Sequence, residues 1–267
     1  MSEHRSSEEI AQDLVTLGIK KAGRPLGSMI LLALLAGAYI GFAAHLATLA
    51  GTGDVAWYGA KKLLMGLVFS LGLMLVLIPG AELFTGNCLM SVALLEKKIG
   101  WGSMFRNWLV VWLGNLVGGL LLALWMVWGT GLLHGPVAVT AVEIAASKCA
   151  LTPAEVFFRG IGANWLVCLG VLMAMATRNP AGKILGVIFP VTAFVAMGFE
   201  HSVANMYFLP AGLMLSAQGA VEGIFPSLTA GKAVMNIFMA TLGNIAGGAF
   251  LTGGMYWGAY VRKGKSA

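Results

Sequence analysis

Long gaps between charged residues limit the possible folds of this sequence more than any other feature. Six of these gaps, which run for 29, 19, 36, 18, 16 and 29 residues without an Asp, Glu, Lys or Arg, are interpreted as membrane spans. A helix needs about 20 mostly apolar residues to cross a bilayer. A soluble domain carries roughly 25% charged residues, but only 10% of this chain is charged. The sequence therefore predicts an all-α polytopic membrane protein, and it excludes a disordered chain, a disulfide scaffold and an ordinary cytosolic enzyme.

Six transmembrane helices are predicted, one for each gap. Their approximate bounds are 28–50, 60–80, 104–128, 154–177, 183–200 and 232–260, and the second and fifth are short and irregular. Basic residues favour the cytoplasmic side of a membrane protein. With the N-terminus inside, 12 of the 17 Lys and Arg residues lie in cytoplasmic segments. We therefore expect both termini in the cytoplasm of a multi-pass plasma membrane protein, and the net charge of +6 needs no nucleic-acid partner.

The first 24 residues differ from the rest, because they are polar and mixed in charge and contain no apolar stretch of a signal peptide. Ser6 and Glu9 have the spacing of a capping box, and Ile10, Leu14 and Leu17 fall on one face of a helix. Residues 1–24 are therefore predicted to form a cytoplasmic amphipathic segment of one transmembrane domain.

Two motifs recur in the remainder of the domain, in the same order. They are NWLVVWLGNLVGG at 107–119 with NIFMATLGNIAGG at 236–248, and ELFTGN at 82–87 with EHSVAN at 200–205. Two repeats are therefore predicted, over 25–133 and 152–262. Three spans in each half would turn the second half upside down, which gives an inverted 3+3 repeat of the kind that many transporters use. Chance similarity between glycine-rich segments is the competing explanation.

Within the longer motif, glycines four residues apart predict close approach of helix backbones. These pairs are Gly114 with Gly118, and Gly243 with Gly247. Asn115 and Asn244 are expected to hydrogen-bond irregular backbone nearby.

The shorter motif interrupts the second and fifth spans with polar residues, which predicts helices broken in mid-membrane. Such backbone is tolerated only where it is buried in protein or lines a cavity, and paired breaks indicate a substrate site. Glu82 and Glu200 are expected to accept hydrogen bonds from N–H groups freed by the breaks. His201 is expected to be functional, because it breaks the symmetry of the repeat: its counterpart is Leu83.

Other chemistry is not predicted. Cys88, Cys149 and Cys168 have no paired spacing and are expected in the core. The histidines form no ligand pair at i, i+4 spacing, so we expect neither a metal nor a cofactor. A single histidine without a nucleophile or metal cluster does not predict an enzyme.

Five motifs closely resemble the formate–nitrite transporter family, over about residues 20–260. They are ELFTGN, LGNLVGG, NWLVC at 164–168, FEHSVANMY at 199–207 and LGNIAGG. The resemblance implies an aquaporin-like fold and a homopentamer with one pathway in each protomer, for a bacterial protein in the inner membrane. The family carries small anions, which include formate, nitrite and hydrosulfide.

The same resemblance implies the site. Two apolar constrictions flank a central histidine that matches His201, and its threonine partner matches Thr85. The family's outer lysine matches Lys148, and its inner lysine has only a poor local match, at Lys21. The expected pathway residues are His201, Thr85, Lys148, Asn205, Asn164, Glu200 and Glu82, and the expected constriction residues are Phe69, Leu73, Leu83, Phe84 and Phe194.

The predicted function is a passive or proton-linked channel for small monovalent anions of weak acids. Formate is the first candidate, and nitrite and hydrosulfide are alternatives. Lys148 would attract the anion unless it is an ordinary solvated lysine, and His201 with Thr85 would hydrogen-bond the anion or give it a proton. An intramembrane redox or enzyme subunit would need paired histidines on the spans, and a receptor would leave the mid-membrane Glu and His residues unexplained.

Overall fold

The computed structural model describes residues 5–53, 57–219 and 225–262, and these residues form helices without a β-sheet. Residues 1–4 of the predicted amphipathic segment, and Lys263 and Lys265 at the basic C-terminus, lie outside the described ranges. The ten described helices are α1 (Ser7–Ala22), α2 (Leu26–Ala50), α3 (Tyr58–Gly80), α4 (Phe84–Leu95), α5 (Trp101–Gly129), α6 (Gly135–Cys149), α7 (Pro153–Met175), α8 (Pro180–Ala196), α9 (Ser202–Ala217) and α10 (Ala230–Val261).

Five of the described helices are long and apolar enough to cross a membrane, namely α2, α3, α5, α7 and α10. Each coincides with one predicted span, so the chain is a multi-pass membrane protein. The predicted span 183–200 falls on α8, which ends earlier than predicted, at Ala196. It stops there because Gly198 has a φ of 73°, a left-handed conformation that ends a helix and suits glycine.

The predicted interruptions are present in both halves. The last turn of α3 is a π-helical turn that contains Pro79, and Gly80 has a φ of 93°. Residues 81–83 are not helical, and α4 begins at Phe84. Residues 197–201 likewise separate α8 from α9. In each half, two helices joined by an irregular link therefore replace one continuous helix.

Glycines set the packing of the spanning helices, as predicted. α2 packs on α5, and α7 packs on α10. A Cβ atom at Gly118 would collide with the carbonyl oxygen of Leu34, and one at Gly247 with that of Ile161. Each contact is therefore backbone to backbone, because no side chain fits between the helices.

The N-terminal helix α1 packs against α4 and the end of α10. Its predicted capping box is present, with Ser6 and Glu9 bonded to each other's backbone N–H groups. Ile10 and Leu14 are buried, as predicted. Arg5 forms an ion pair with Asp13, so the start of this helix is held by charge as well as by apolar contact.

Candidate functional site

His201 and Thr85 meet where the two interruptions face each other. His201 precedes α9, Thr85 lies in the first turn of α4, and both side chains are buried. The Nε2 atom of His201 lies 3.0 Å from Oγ1 of Thr85. The backbone N–H of Ala204 donates to Nδ1 at 3.1 Å. Because Nδ1 accepts that bond, the neutral ring carries its proton on Nε2 and donates it toward Thr85.

Apolar side chains surround this pair. Phe69, Leu73, Leu83 and Phe194 line a void of about 10 Å³ together with His201. The Phe194 ring stacks on the imidazole with 5.8 Å between centroids. Such a void has room for about one water molecule, so the structure brings four of the five predicted constriction residues to one narrow, apolar point.

Phe84, the fifth predicted constriction residue, lies elsewhere. It is buried and packs edge-on against Trp108, with 6.2 Å between ring centroids. It lines neither the void nor the larger cavities described below. Its neighbour Leu83 lines the void instead, because consecutive residues at the start of α4 point in different directions.

Two larger cavities flank the void. The Lys148 vestibule has a volume of about 410 Å³ and is lined by Lys148, Glu200, His201 and Phe194, among others. The Lys21 vestibule has a volume of about 460 Å³, and its lining includes Lys21, Arg24, Glu82, Leu73 and Leu83. Phe194 and His201 also line the void from one side, and Leu73 and Leu83 line it from the other. Two polar cavities are therefore separated by a short apolar segment.

A buried ion pair lies in the Lys148 vestibule. Nζ of Lys148 lies 2.9 Å from Oε1 of Glu200. The other oxygen of that carboxylate accepts hydrogen bonds from the amides of Asn205, at 2.7 Å, and Asn236, at 3.3 Å. Lys148 is therefore bound to a carboxylate rather than solvated.

The Lys21 vestibule contains a matching cluster. Nζ of Lys21 lies 2.9 Å from Oε2 of Glu82, and Nε of Arg24 lies 3.1 Å from Oε1. Asn87 donates to Glu82 at 2.6 Å and to the side-chain oxygen of Asn107 at 2.7 Å. Burial lowers the pKa of Lys21, and the adjacent Glu82 carboxylate opposes that shift.

Asparagines, not glutamates, bind the backbone at the breaks. The side-chain oxygen of Asn115 accepts from the N–H of Phe84, and that of Asn244 accepts from the N–H of Ser202, both at 2.9 Å. Their amide groups donate to the carbonyl oxygens of residues 82 and 200. The prediction for Asn115 and Asn244 is confirmed.

The expectation that Glu82 and Glu200 accept the freed N–H groups is wrong. Their carboxylates accept from cations and side-chain amides. An amide suits the break better than a carboxylate, because the break frees both donors and acceptors and an amide satisfies both.

Two predicted pathway residues lie behind the surface of the pathway. Asn164 donates to the backbone oxygens of Thr85 and Asn244, at 3.1 and 2.7 Å. Asn205 links Glu200 to Asn236. Neither asparagine lines the void or the two vestibules. Asn205 holds Glu200, which lines the Lys148 vestibule. Asn164 holds the backbone of Thr85, which lines none of these cavities but is bonded to His201.

Arg24, Asn107 and Asn236 were missed as functional candidates. The two asparagines occupy the first position of the longer repeated motif, and that recurrence could have identified them. Arg24 had no such signal, because the segment that carries it has no counterpart in the second half.

Comparisons with known proteins agree with this arrangement. The sequence pattern described as "Formate/nitrite transporter" matches residues 8–258. A "Probable formate transporter" of Methanothermobacter thermautotrophicus is 40% identical, over 98% of this chain and 99% of the relative. "Formate channel FocA" of Escherichia coli (strain K12) is 37% identical, over 92% of this chain and 91% of the relative.

A solved structure is also similar. It is titled "Pentameric formate channel with formate bound", and it superposes with a TM-score of 0.79 at 35% sequence identity. The match covers 88% of this chain and 98% of the solved chain. The likeness therefore extends from sequence motifs to the path of the backbone.

Proposed function

The chain belongs to the formate/nitrite transporter family, and we propose that it is a channel for small monovalent anions of weak acids, with formate as its main substrate. It is a transport protein rather than an enzyme, because its family is one of transporters. The observation that carries the proposal is the buried His201, which is bonded to Thr85 and lines an apolar void between two basic vestibules. Nitrite and hydrosulfide are the alternative substrates.

The apolar void sets the barrier to passage. A bare anion that enters it loses its hydration, which is costly unless hydrogen bonds replace the water. Nε2–H of His201, which lines the void, is such a donor. An anion of a weak acid has a further route, because it can take up a proton in a vestibule and cross as the neutral acid.

Hydrogen-bond donation is the role that we assign to His201. A doubly protonated ring would carry N–H on Nδ1, directed at the N–H of Ala204. Two donors would then face each other, and the bond that caps α9 would be lost. The neutral ring therefore suits this position, and the proton that accompanies the anion comes from water in a vestibule.

The architecture that we propose is six spans in an inverted repeat, with α8 as the short fifth span. The two carboxylate clusters support this, because residues 82, 87, 107 and 115 make the same contacts as residues 200, 205, 236 and 244. The basic residues favour cytoplasmic termini, with the Lys21 vestibule facing the cytoplasm of a bacterial inner membrane.

A homopentamer is the assembly that we propose. The solved pentameric channel covers 88% of this chain. Many large apolar side chains, such as Leu109 and Phe189, are exposed in the single chain. Lipid and neighbouring protomers would cover them, since extended exposed apolar surfaces mark such interfaces.

Flux into proteoliposomes tests the proposal. Formate should enter at least about tenfold faster than chloride, because chloride has no neutral form with which to cross the void. Competition among formate, nitrite and hydrosulfide in the same vesicles identifies the preferred anion. A correctly assembled oligomer that carries none of them would contradict the proposal and favour a receptor or structural role.

A further inference from the structure

The positive charge available to an incoming anion in the Lys148 vestibule does not come from Lys148. Of the residues that the structure describes, three cations line this cavity, Lys62, Lys148 and Arg159, with one carboxylate, Glu200. Lys148 is bound to Glu200 at 2.9 Å, and its side chain is only 16% exposed. Seen from several ångströms away, opposite charges that close together largely cancel. The two remaining cations therefore set the field at this mouth.

Lys62 is held by much weaker contacts. Among the described residues, no carboxylate oxygen lies within 4.0 Å of its Nζ atom. Its nearest characterised partner is the ring of Tyr58, whose centroid lies 5.5 Å from Nζ. The ammonium group is therefore free to turn toward an anion in the cavity.

Arg159 is also loosely held. Its guanidinium lies 3.9 Å from the carboxylate of Glu155, and both side chains are about half exposed. An exposed pair at that distance contributes little and is readily exchanged for another anion. Lys62 comes from α3 and Arg159 from α7, so the two cations reach the same cavity from different halves of the chain.

We propose that Lys62 and Arg159 form a capture site for the hydrated substrate anion, which lies before the Lys148–Glu200 pair on the way to His201. This inference rests on the proposed function. Its ligand is a small carboxylate or other monovalent weak-acid anion that keeps its water. A cavity of about 410 Å³ has room for such a hydrated ion, and binding through water suits an anion that must move on.

Adjacent lysines provide a matched test. Lys61 precedes Lys62, but its Nζ donates to the carbonyl oxygen of Gly53 and it does not line the vestibule. Lys62→Glu and Lys61→Glu make the same change in net charge. At an ionic strength of about 0.01 M, where the screening length is ~30 Å, Lys62→Glu should slow uptake at low formate by about fourfold.

The same experiment separates capture from damage to the pathway. At low salt, Lys61→Glu should slow uptake clearly less than Lys62→Glu does, because its side chain does not line the vestibule. At about 1 M salt, where the screening length is ~3 Å, formate uptake by the Lys62→Glu variant should return to the rate of the parent. Maximal flux at saturating formate should stay unchanged, because only capture is weakened. Equal slowing by both variants, or no slowing by Lys62→Glu, would overturn the capture site while the parent's formate flux still supported the channel.

Thiol labelling then isolates charge from side-chain shape. The three cysteines of the chain are buried, so Lys62→Cys introduces an accessible thiol. A trimethylammonium-bearing methanethiosulfonate should restore uptake at low salt, and a sulfonate-bearing one should lower it further. If both labels gave the same rate, charge at this position would not matter and the proposal would fail. A parent protein without formate flux would overturn both this inference and the proposed function.

Discussion

Glu82 and Glu200 occupy matching positions in the two halves, yet they are neutralised differently. Glu82 is held by two cations, Lys21 and Arg24. Glu200 is held by one, Lys148, and by one more amide than its counterpart. The repeated motif thus preserves the carboxylate, and each half receives its cations from a different part of the chain. The two carboxylate clusters therefore share a geometry, but we expect them to differ in how much stability is lost when one cation is removed.

A second difference lies one residue further along. Leu83 follows the first carboxylate, and His201 follows the second. Both line the central void, so two equivalent positions supply one apolar side chain and one hydrogen-bond donor. The repeat therefore forms a symmetric frame, and the asymmetric pair performs the chemistry that we propose.

The largest effect is expected from removing this asymmetry. His201→Leu gives both halves the same residue at this position and deletes a donor from the void. Loss of a buried donor to a developing or desolvated charge typically costs 10²–10³ in rate, so formate flux should fall by about 100-fold or more. Initial uptake into proteoliposomes measures the change.

His201→Asn is the control for that experiment, because it keeps an N–H donor and cannot titrate. We expect it to retain most of the flux and the pH profile of the parent. Both variants should stay oligomeric on size exclusion, since loss of the α9 cap costs only about 1 kcal/mol. Flux that survives in His201→Leu would contradict the role of the ring.

A smaller effect, on stability, is expected from the two lysines. Lys148→Met leaves Glu200 without its cation, and a stranded buried charge costs about 3–5 kcal/mol. The apparent Tm of the oligomer should fall by roughly 10 °C. Lys21→Met leaves Arg24 on Glu82 and should lower Tm by only roughly 3 °C. Thermal unfolding in detergent measures both.

A double variant sharpens the comparison. Lys21→Met combined with Arg24→Gln leaves Glu82 as isolated as Glu200 is in Lys148→Met, so the two Tm values should converge. If Lys21→Met alone is already as unstable as Lys148→Met, Arg24 does not neutralise Glu82 and the difference between the clusters disappears.

The sequence predicted the features that repeat. The helix breaks, the close contacts at Gly118 and Gly247, and the backbone bonds of Asn115 and Asn244 all follow from residues that occur twice. The His201–Thr85 contact was expected from the family resemblance rather than from spacing. Repetition and resemblance are both informative because they constrain residues that are distant in the chain.

Features that occur once were harder to predict. Nothing in the pattern of α1 shows where that helix packs, so the contacts of Lys21, at its end, and Arg24, just after it, with Glu82 were not expected. Phe84, like its neighbour Leu83, was expected at the constriction, and for Phe84 this expectation is wrong. Its direction depends on how α4 begins after the break, and composition does not determine that direction.

The backbone contacts between helices have a consequence for speed. Carriers that alternate between two conformations rock one bundle against another over microseconds to milliseconds. Here Gly118 and Gly247 bring helices together with no side chains between them. Such tightly packed helices have little room to move against each other. Opening the void then needs only rotation of side chains such as Phe69 and Phe194, and rotamer changes are far faster. Formate loaded inside vesicles should therefore not accelerate the entry of labelled formate, as it would for an obligatory exchanger.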